Sequence, residues 1–367
     1  MNIYIVDLES VPTRYTCEWK THLPVLFKNE ADRLGRSDVK VINISGGDEQ
    51  LKATPGAFLN FAQTNIYKNT QLSKIARLFS DGVISEGDHF IFTDAWNPAI
   101  IQLKYMSELL GIPVITHGLW HAGSYDPQDF LGRLIGNKPW VRYAERSFFE
   151  CFDHNHFATK FHIDLFIREL LGGVSADAHH YLADGKMVLT GWPMEYMTET
   201  LQPYVGFKKR DLILFPHRIA PEKQPERFRE LAAMLPQYEW AICQEQELTK
   251  AEYHTLLGES KMVLSLNLQE TLGISCFEGA VVDSLPLVPD RLSYSEMYDD
   301  TWKYPSEWSD NEWDNGGKEK LAALIQNYMD NYANYVEEVI AQTHSLQRDF
   351  FSAGGLLDTV FSYRGKQ

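Results

Sequence analysis

A chain of 367 residues exceeds the roughly 150 of one typical domain and points to two, each able to bury its own core. Hydrophobic residues make up 44%, charged 23% and aromatic 13%, and no stretch nears the roughly 20 apolar residues a membrane span needs, which excludes disordered and membrane-spanning classes. The net charge of −16 argues against general nucleic-acid binding, although residues 1–175 hold 17 basic and 20 acidic side chains while the remainder holds 17 and 30.

The chain opens with Met-Asn-Ile-Tyr-Ile-Val-Asp-Leu-Glu, where Asp7 and Glu9 interrupt an apolar run that no basic stretch precedes. A secretory leader is therefore not expected, and the reading is cytoplasmic. Cys17, Cys151, Cys243 and Cys276 lie far apart without a Cys-x-x-Cys pair, which fits reduced thiols. Short β-branched runs then alternate with amphipathic stretches, the pattern of βα units around a parallel sheet. Strands are predicted at Ile3 to Val6, Val39 to Ile44, His89 to Thr93, Pro113 to Thr116, Phe148 to Phe152 and Val188 to Thr190, with a helix over Ala99 to Leu110 that stops at Gly111.

After the polar segment 201–210 the pattern restarts. Strands are predicted at Leu212 to Phe215, Glu239 to Cys243 and Met262 to Leu266, separated by helices over Pro225 to Met234 and Lys250 to Leu257. The expected architecture is α/β, two doubly wound Rossmann-like domains facing a cleft: residues 1–200, residues 201–345, and a helical tail 346–367 packing back on the body. Residues 299–314 hold Asp299, Asp300, Glu307, Asp310, Glu312 and Asp314 against Lys303, with three tryptophans, and read as a solvated loop packed by its own aromatics. Leu321, Leu324, Ile325, Tyr328, Tyr332, Tyr335, Val336 and Ile340 trace one face of a long helix.

Two segments of the second half carry chemistry. Leu214-Phe-Pro-His-Arg-Ile-Ala-Pro-Glu-Lys223 is a strand running into a loop whose Arg218 and Lys223 suit a diphosphate, Arg as a bidentate fork and Lys as a point charge. Gln269-Glu-Thr-Leu-Gly-Ile-Ser-Cys-Phe-Glu278 follows the next strand but one, and Thr271, Leu272 and Gly273 form a turn into a helix whose amides favour an anion.

Arg-Ile-Ala-Pro-Glu-Lys, Glu270-x₇-Glu278 with Gly-Ile between, and the later Leu-Pro-Leu-Val resemble, in order and spacing, the retaining GT-B glycosyltransferases. The resemblance implies a sugar moved from a nucleotide-diphosphate donor to an acceptor hydroxyl with retention of configuration. It implies that Arg218 and Lys223 contact the diphosphate, Glu270 the transferred sugar and Glu278 the ribose. No permanently bound cofactor is expected, with a UDP-sugar ahead of a GDP-sugar as donor, and no metal is expected because no Asp-x-Asp signature follows a strand. Val114-Ile-Thr-His-Gly-Leu-Trp-His121 resembles the family's segment ending in a His beside the sugar, with His117 the first match and His121 the second.

The loop after the first strand lacks the family's glycines, with Arg14 a substitute, and Gln-Glu-Gln-Glu follows Cys243 where glycines are usual. These departures motivate a rival reading, a catalytically silent binding protein on the same fold; an epimerase is a second rival.

The whole length is similar to phage-type glycosyltransferases, which implies one acceptor class, a hydroxymethylated pyrimidine flipped out of DNA, in the host cytoplasm. Arg133, Lys138, Arg142 and Arg146 would then meet phosphates. A cell-surface glycan or small hydroxyl compound is the other class. Asp126 and Asp94, in loops after strands, can orient or deprotonate that hydroxyl. His154, His156, His179 and His180 lack partners at ligand spacing and read as surface or linker residues.

Overall fold

The structure is a computed structural model describing residues 1–9, 15–47, 60–174 and 177–362. Its contacts divide it into unit 1, Met1–Ala158, His162–Pro193 and Ala353–Gln367, and unit 2, Thr159–Phe161 and Met194–Ser352. The last segment thus belongs with unit 1, where Phe361 packs on Phe27 at 6.4 Å between ring centres.

Unit 1 is built on six parallel strands: β1 Asn2–Val6, β2 Lys40–Ile44, β3 His89–Phe92, β4 Ile115–Leu119, β5 His154–Phe157 and β6 Met187–Leu189, in the order β2-β1-β3-β4-β5-β6. Ile3, Tyr4, Ile5 and Val6 are all buried, as expected of a strand covered on both faces. At roughly 1.5–3 kcal/mol for each large apolar side chain, this strand adds on the order of 10 kcal/mol of gross burial to the unit's core. The predicted helix Ala99–Leu110 is present, and Gly111 ends it at φ 65°, a left-handed conformation that glycine adopts without strain.

Unit 2 holds β7 Arg210–Phe215, β8 Glu239–Ile242, β9 Ser260–Leu264, β10 Leu285–Pro289 and the short β11 Lys303–Tyr304, ordered β11-β10-β9-β7-β8 and again parallel. Helix Pro225–Met234 has the predicted bounds, its proline at the first turn where a missing N–H costs nothing.

Four expectations are corrected. Phe148 to Phe152 is not a strand: Val141, Glu145, Phe148 and Phe149 form the buried side of the helix Pro139–Cys151, and the strand is the polar His-Asn-His-Phe that follows. The long C-terminal helix is two, Lys318–Asp330 and Val336–Asp349, separated by a tight turn over Tyr332–Tyr335, and Ile340 faces solvent while Val339 is buried. The acidic segment 299–314 is not merely a solvated loop, because Trp302 and Trp313 are buried, Trp302 on Tyr328 and Trp313 under Arg227 with its Nε1 donating to Glu230.

The fourth concerns histidine. His154 and His156 are buried strand residues rather than surface ones, and with His89 and His117 they form a ladder across β3, β4 and β5. His89 Nδ1 lies 3.0 Å from His117 Nε2, and His117 Nδ1 lies 3.0 Å from His156 Nε2. His156 Nδ1 is buried with no partner, so a proton there would be orphaned; we assign donation from His156 to His117 to His89.

Burial lowers all four imidazoles, His89 to about 4 and His156 to about 3, with the neighbouring rings adding to the shift at His89, His117 and His156. Each group's folded pKa thus lies below its unfolded value near 6.5, so below that pH the unfolded chain takes up protons that the folded chain refuses. Stability falls with pH by up to about 1.4 kcal/mol per unit for each histidine. Asp7, pushed by burial to about 6, and Glu145, also raised by burial, have the opposite sign, while buried His162, lowered to about 3, adds a fifth histidine to the four. Urea denaturation should show unit 1 losing stability from about pH 7 to about pH 5; a flat or rising midpoint would contradict the neutral ladder.

Candidate nucleotide site

In unit 2 the chain leaves β7 towards β8 on one side and leaves β9 towards β10 on the other. The carboxyl ends of β7 and β9 therefore flank the topological switch point, where open parallel sheets leave a crevice for ligands. The loops after these two strands contain every unit 2 residue that the sequence assigns to the donor except Glu278, which lies in the following helix.

The loop after β7 carries His217 and Arg218, closes in a turn over Pro221–Lys223, and passes through Gln224 at φ 56°. Gln224 Nε2 donates to Leu266 O at 2.6 Å and Ser309 O at 3.1 Å, which ties this loop to the one after β9. Arg218 Nη2 donates to buried Glu222 at 2.6 Å, and its side chain is about 34% exposed.

Lys223 is buried. Its Nζ donates to Gln269 O at 2.5 Å and to Glu270 Oε2 at 3.2 Å, so two of three N–H groups are used. Glu270 Oε2 also accepts from Asn267 Nδ2 at 3.3 Å, and Oε1 accepts from the amides of Thr271 at 3.1 Å and Leu272 at 3.4 Å. Burial alone would raise this carboxyl; Lys223 and the loop amides outweigh it and hold the group at about 2, an anion throughout the physiological range.

Gly273 follows at φ 75° and precedes the eight-residue helix Ile274–Val281. Helix geometry leaves the first amides without acceptors inside the helix, so they and the dipole favour an anion. His217, buried and pushed down to about 3 chiefly by desolvation with Lys223 adding to it, sits 3.2 Å from Ser275 Oγ as a neutral imidazole. Glu278 is a little over one turn into the helix and accepts from Tyr253 Oη at 2.8 Å.

Arg218, Lys223, Glu270, Thr271, Leu272 and Gly273 thus gather around one switch point. The unit 1 residues stand differently. His117 is fully buried in mid-strand with both ring nitrogens bonded to histidines, so it lines no ligand-facing wall. The strand begins two residues later than predicted, and His121 is the second residue beyond its end, half-buried, its Nε2 2.6 Å from Thr93 O and its ring stacked on Trp192. Asp126 is buried and its Oδ1 accepts from Gln128 N at 2.9 Å, a turn-forming contact. Asp94 accepts from Lys68 at 3.4 Å and from the Trp96 amide at 3.0 Å. Arg14 lies outside the described residues.

Sequence reasoning passed over Glu222, Asn267 and Arg291. Arg291 grips the carbonyls of Leu266 at 2.9 Å and Asn267 at 2.7 Å, fixing the loop that bears Glu270. Glu222 lay within the quoted motif, but its pairing with Arg218 is a product of the turn. Among the described residues no group of three or more His, Cys, Asp or Glu is arranged to hold a metal ion.

Neither a family model nor a curated protein matches this sequence. Solved structures do match. Sucrose-phosphate synthase from Thermosynechococcus elongatus is similar at 10% identity and TM-score 0.59, covering 99% of this chain and 98% of its own. Anabaena HepE, solved with UDP and glucose, gives 11% and 0.58 over 99% and 100%. The catalytic domain of starch synthase IV from Arabidopsis thaliana, bound to ADP and acarbose, gives 10% and 0.60 over 98% of both chains. The likeness is one of fold: the chain has the two parallel-sheet α/β units of the GT-B glycosyltransferases.

A Cβ added at Gly273 would lie 2.5 Å from Tyr294 Cε1, on a backbone that L residues adopt only with strain. Gly273→Ala should therefore destabilise unit 2 by about 1–3 kcal/mol in chemical denaturation; wild-type stability would mean that Tyr294 and the turn give way freely.

Proposed function

We propose that the protein transfers a sugar from a nucleotide-diphosphate donor, a UDP-sugar ahead of a GDP-sugar, to an acceptor hydroxyl with retention. The observation that carries the reading is buried Lys223 paired with half-buried Glu270 beside the N-terminus of helix Ile274–Val281, at the carboxyl ends of β7 and β9. A cation and a ring of amides at a switch point select a ligand with adjacent negative charges, and the named neighbours solved with UDP or ADP support a nucleotide.

In the proposed reaction the bond between the anomeric carbon and the diphosphate oxygen breaks, and the electron pair leaves with the phosphate. The third N–H of Lys223, the exposed edge of Arg218 and the amides after Gly273 oppose the growing negative charge. The acceptor oxygen bonds to the anomeric carbon and its proton passes to the departing phosphate or to bulk solvent. Glu270 already accepts from four donors, so a contact to the sugar requires one of them to give way. Its first role in this reading is to position Lys223 and the loop amides; Glu278, further along the helix, is the ribose ligand.

For the acceptor, two of the four cations proposed to meet DNA phosphates are occupied: Arg133 donates to Gln128 O at 2.5 Å, and Arg142 to Gly136 O at 3.1 Å and Glu169 O at 2.7 Å. This favours a glycan or small hydroxyl acceptor. Hydroxymethylated DNA is the second reading, carried by exposed Lys138 and Arg146.

Incubation with a panel of UDP-, GDP- and ADP-sugars, without acceptor, should reveal slow hydrolysis of one donor that persists in chelator. Arg218→Ala and Lys223→Ala should each lower that rate by roughly 10². Wild-type rates in both variants would refute the diphosphate assignment, and epimerisation without hydrolysis would favour the epimerase. With the donor known, glycans and hydroxymethylated duplexes separate the acceptor classes.

A further inference from the structure

Unit 1 has an outer surface that the proposed reaction does not use. The connections from β2 to β3, β3 to β4 and β4 to β5 all advance in one direction across the sheet, so right-handed crossovers put helices Phe61–Ser80, Ala99–Leu110 and Pro139–Cys151 on the same face. The first packs on the second and the second on the third. Each turns a mainly apolar side inward, with Tyr67, Ile75, Leu103, Val141 and Phe148 buried, alongside the charged Lys68 and Glu145.

The opposite sides are unusual. Ile66 on the first helix, Ile101, Tyr105 and Leu109 at four-residue spacing on the second, and Trp140 and Tyr143 on the third are between 41% and 71% exposed. Single exposed apolar residues are ordinary, but six on the outer sides of three adjacent helices form a surface that water alone does not favour.

The charge around them is equally distinct. Residues 61–80, 99–110 and 130–151 contain eight Lys or Arg against three Glu, in a chain of net −16. Glu145 is one of the three and is buried, accepting from Ser124 and Trp96; Lys68 is buried too and Lys104 pairs with Glu108 and Asp153, while Arg77, Lys138 and Arg146 are exposed beside exposed Glu108 and Glu150.

Exposed indole and phenol rings beside aliphatic side chains and cations match the chemistry of a lipid headgroup layer, where rings and aliphatic groups enter the acyl boundary and cations meet phosphate. We propose that this face seats unit 1 on an anionic lipid surface. A second copy would bring cation against cation, and a nucleic acid would leave Ile66, Ile101 and Leu109 without a partner. Among the described residues no helix is long and apolar enough to cross a membrane, so the attachment is peripheral.

The test sediments the full chain with vesicles of phosphatidylcholine alone and of phosphatidylcholine with an equal part of phosphatidylglycerol. Binding is expected to the anionic vesicles and to weaken as salt is raised. The double variants Leu109→Ser with Trp140→Ser, and Lys138→Glu with Arg146→Glu, should each lose about tenfold in affinity while melting as the wild type does. Absence of sedimentation with either vesicle, or equal sedimentation of wild type and both variants, overturns the proposal. So does light scattering that reveals a dimer, or a complex with duplex DNA, abolished by the same substitutions. None of these outcomes depends on sugar transfer, so the failure of one reading leaves the other standing.

Discussion

A lysine ammonium almost wholly removed from water constrains the rest of unit 2's site. An unpaired buried charge costs several kcal/mol, so Lys223 must be answered by a carboxylate and a carbonyl within reach, and Glu270 and Gln269 O provide both. Glu270 can serve only while ionised, which requires the amides of Thr271 and Leu272 to point at it. That requirement sets the path of the loop, and the loop in turn needs Gly273 in its left-handed conformation before the helix can begin. Arg291 and Gln224 hold the same loop from the other side through the carbonyls of Leu266 and Asn267. The pair adds little net stability by this reasoning; its effect is a fixed cation with one uncommitted N–H beside a helix N-terminus.

The two sheets share a strand order, with the first strand of each lying between its second and third. Each therefore has its own switch point, and the two are finished differently. In unit 1 the carboxyl ends of β1 and β3 are met by side chains from the helix Phe61–Ser80. Tyr67 Oη and Gln71 Nε2 donate to Asp7 at 2.5 and 3.1 Å, and Lys68 donates to Asp94 and to Trp96 O. Glu9, buried just beyond β1, still has both carboxylate oxygens without a hydrogen-bond partner among the described residues, so this switch point keeps an unanswered acid, whereas in unit 2 a cation and a helix end remain partly unanswered.

Much of this was legible in the sequence where a local rule decides the outcome. Pro225 opens its helix because its fixed φ suits a first turn, and Gly111 closes another because glycine adopts the left-handed conformation without strain. The Arg218, Lys223, Glu270 and Gly273 set was legible because strand ends and loop chemistry lie close together in the chain. What was not legible depends on partners distant in sequence. His117 reads as a strand-end ligand until β3 and β5 bring His89 and His156 against it from 28 and 39 residues away. The strand His154–Phe157 looks polar, and the apolar Phe148 to Phe152 looks like a strand, because neutral buried imidazoles replace the apolar residues a parallel sheet usually has. Likewise the spacing of Tyr328, Tyr332 and Tyr335 continues a helical period through a turn that breaks the helix, since a tight turn keeps similar side-chain spacing.

Hydrogen exchange of the backbone amides in unit 2, with UDP and then ADP titrated in, tests the central claim most directly. A nucleotide diphosphate seated at the switch point should slow exchange at Thr271 to Ser275 and around Arg218 to Lys223, and Lys223→Ala should abolish the effect. Unchanged exchange in both segments at saturating nucleotide, or slowing confined to other parts of the unit, would contradict it.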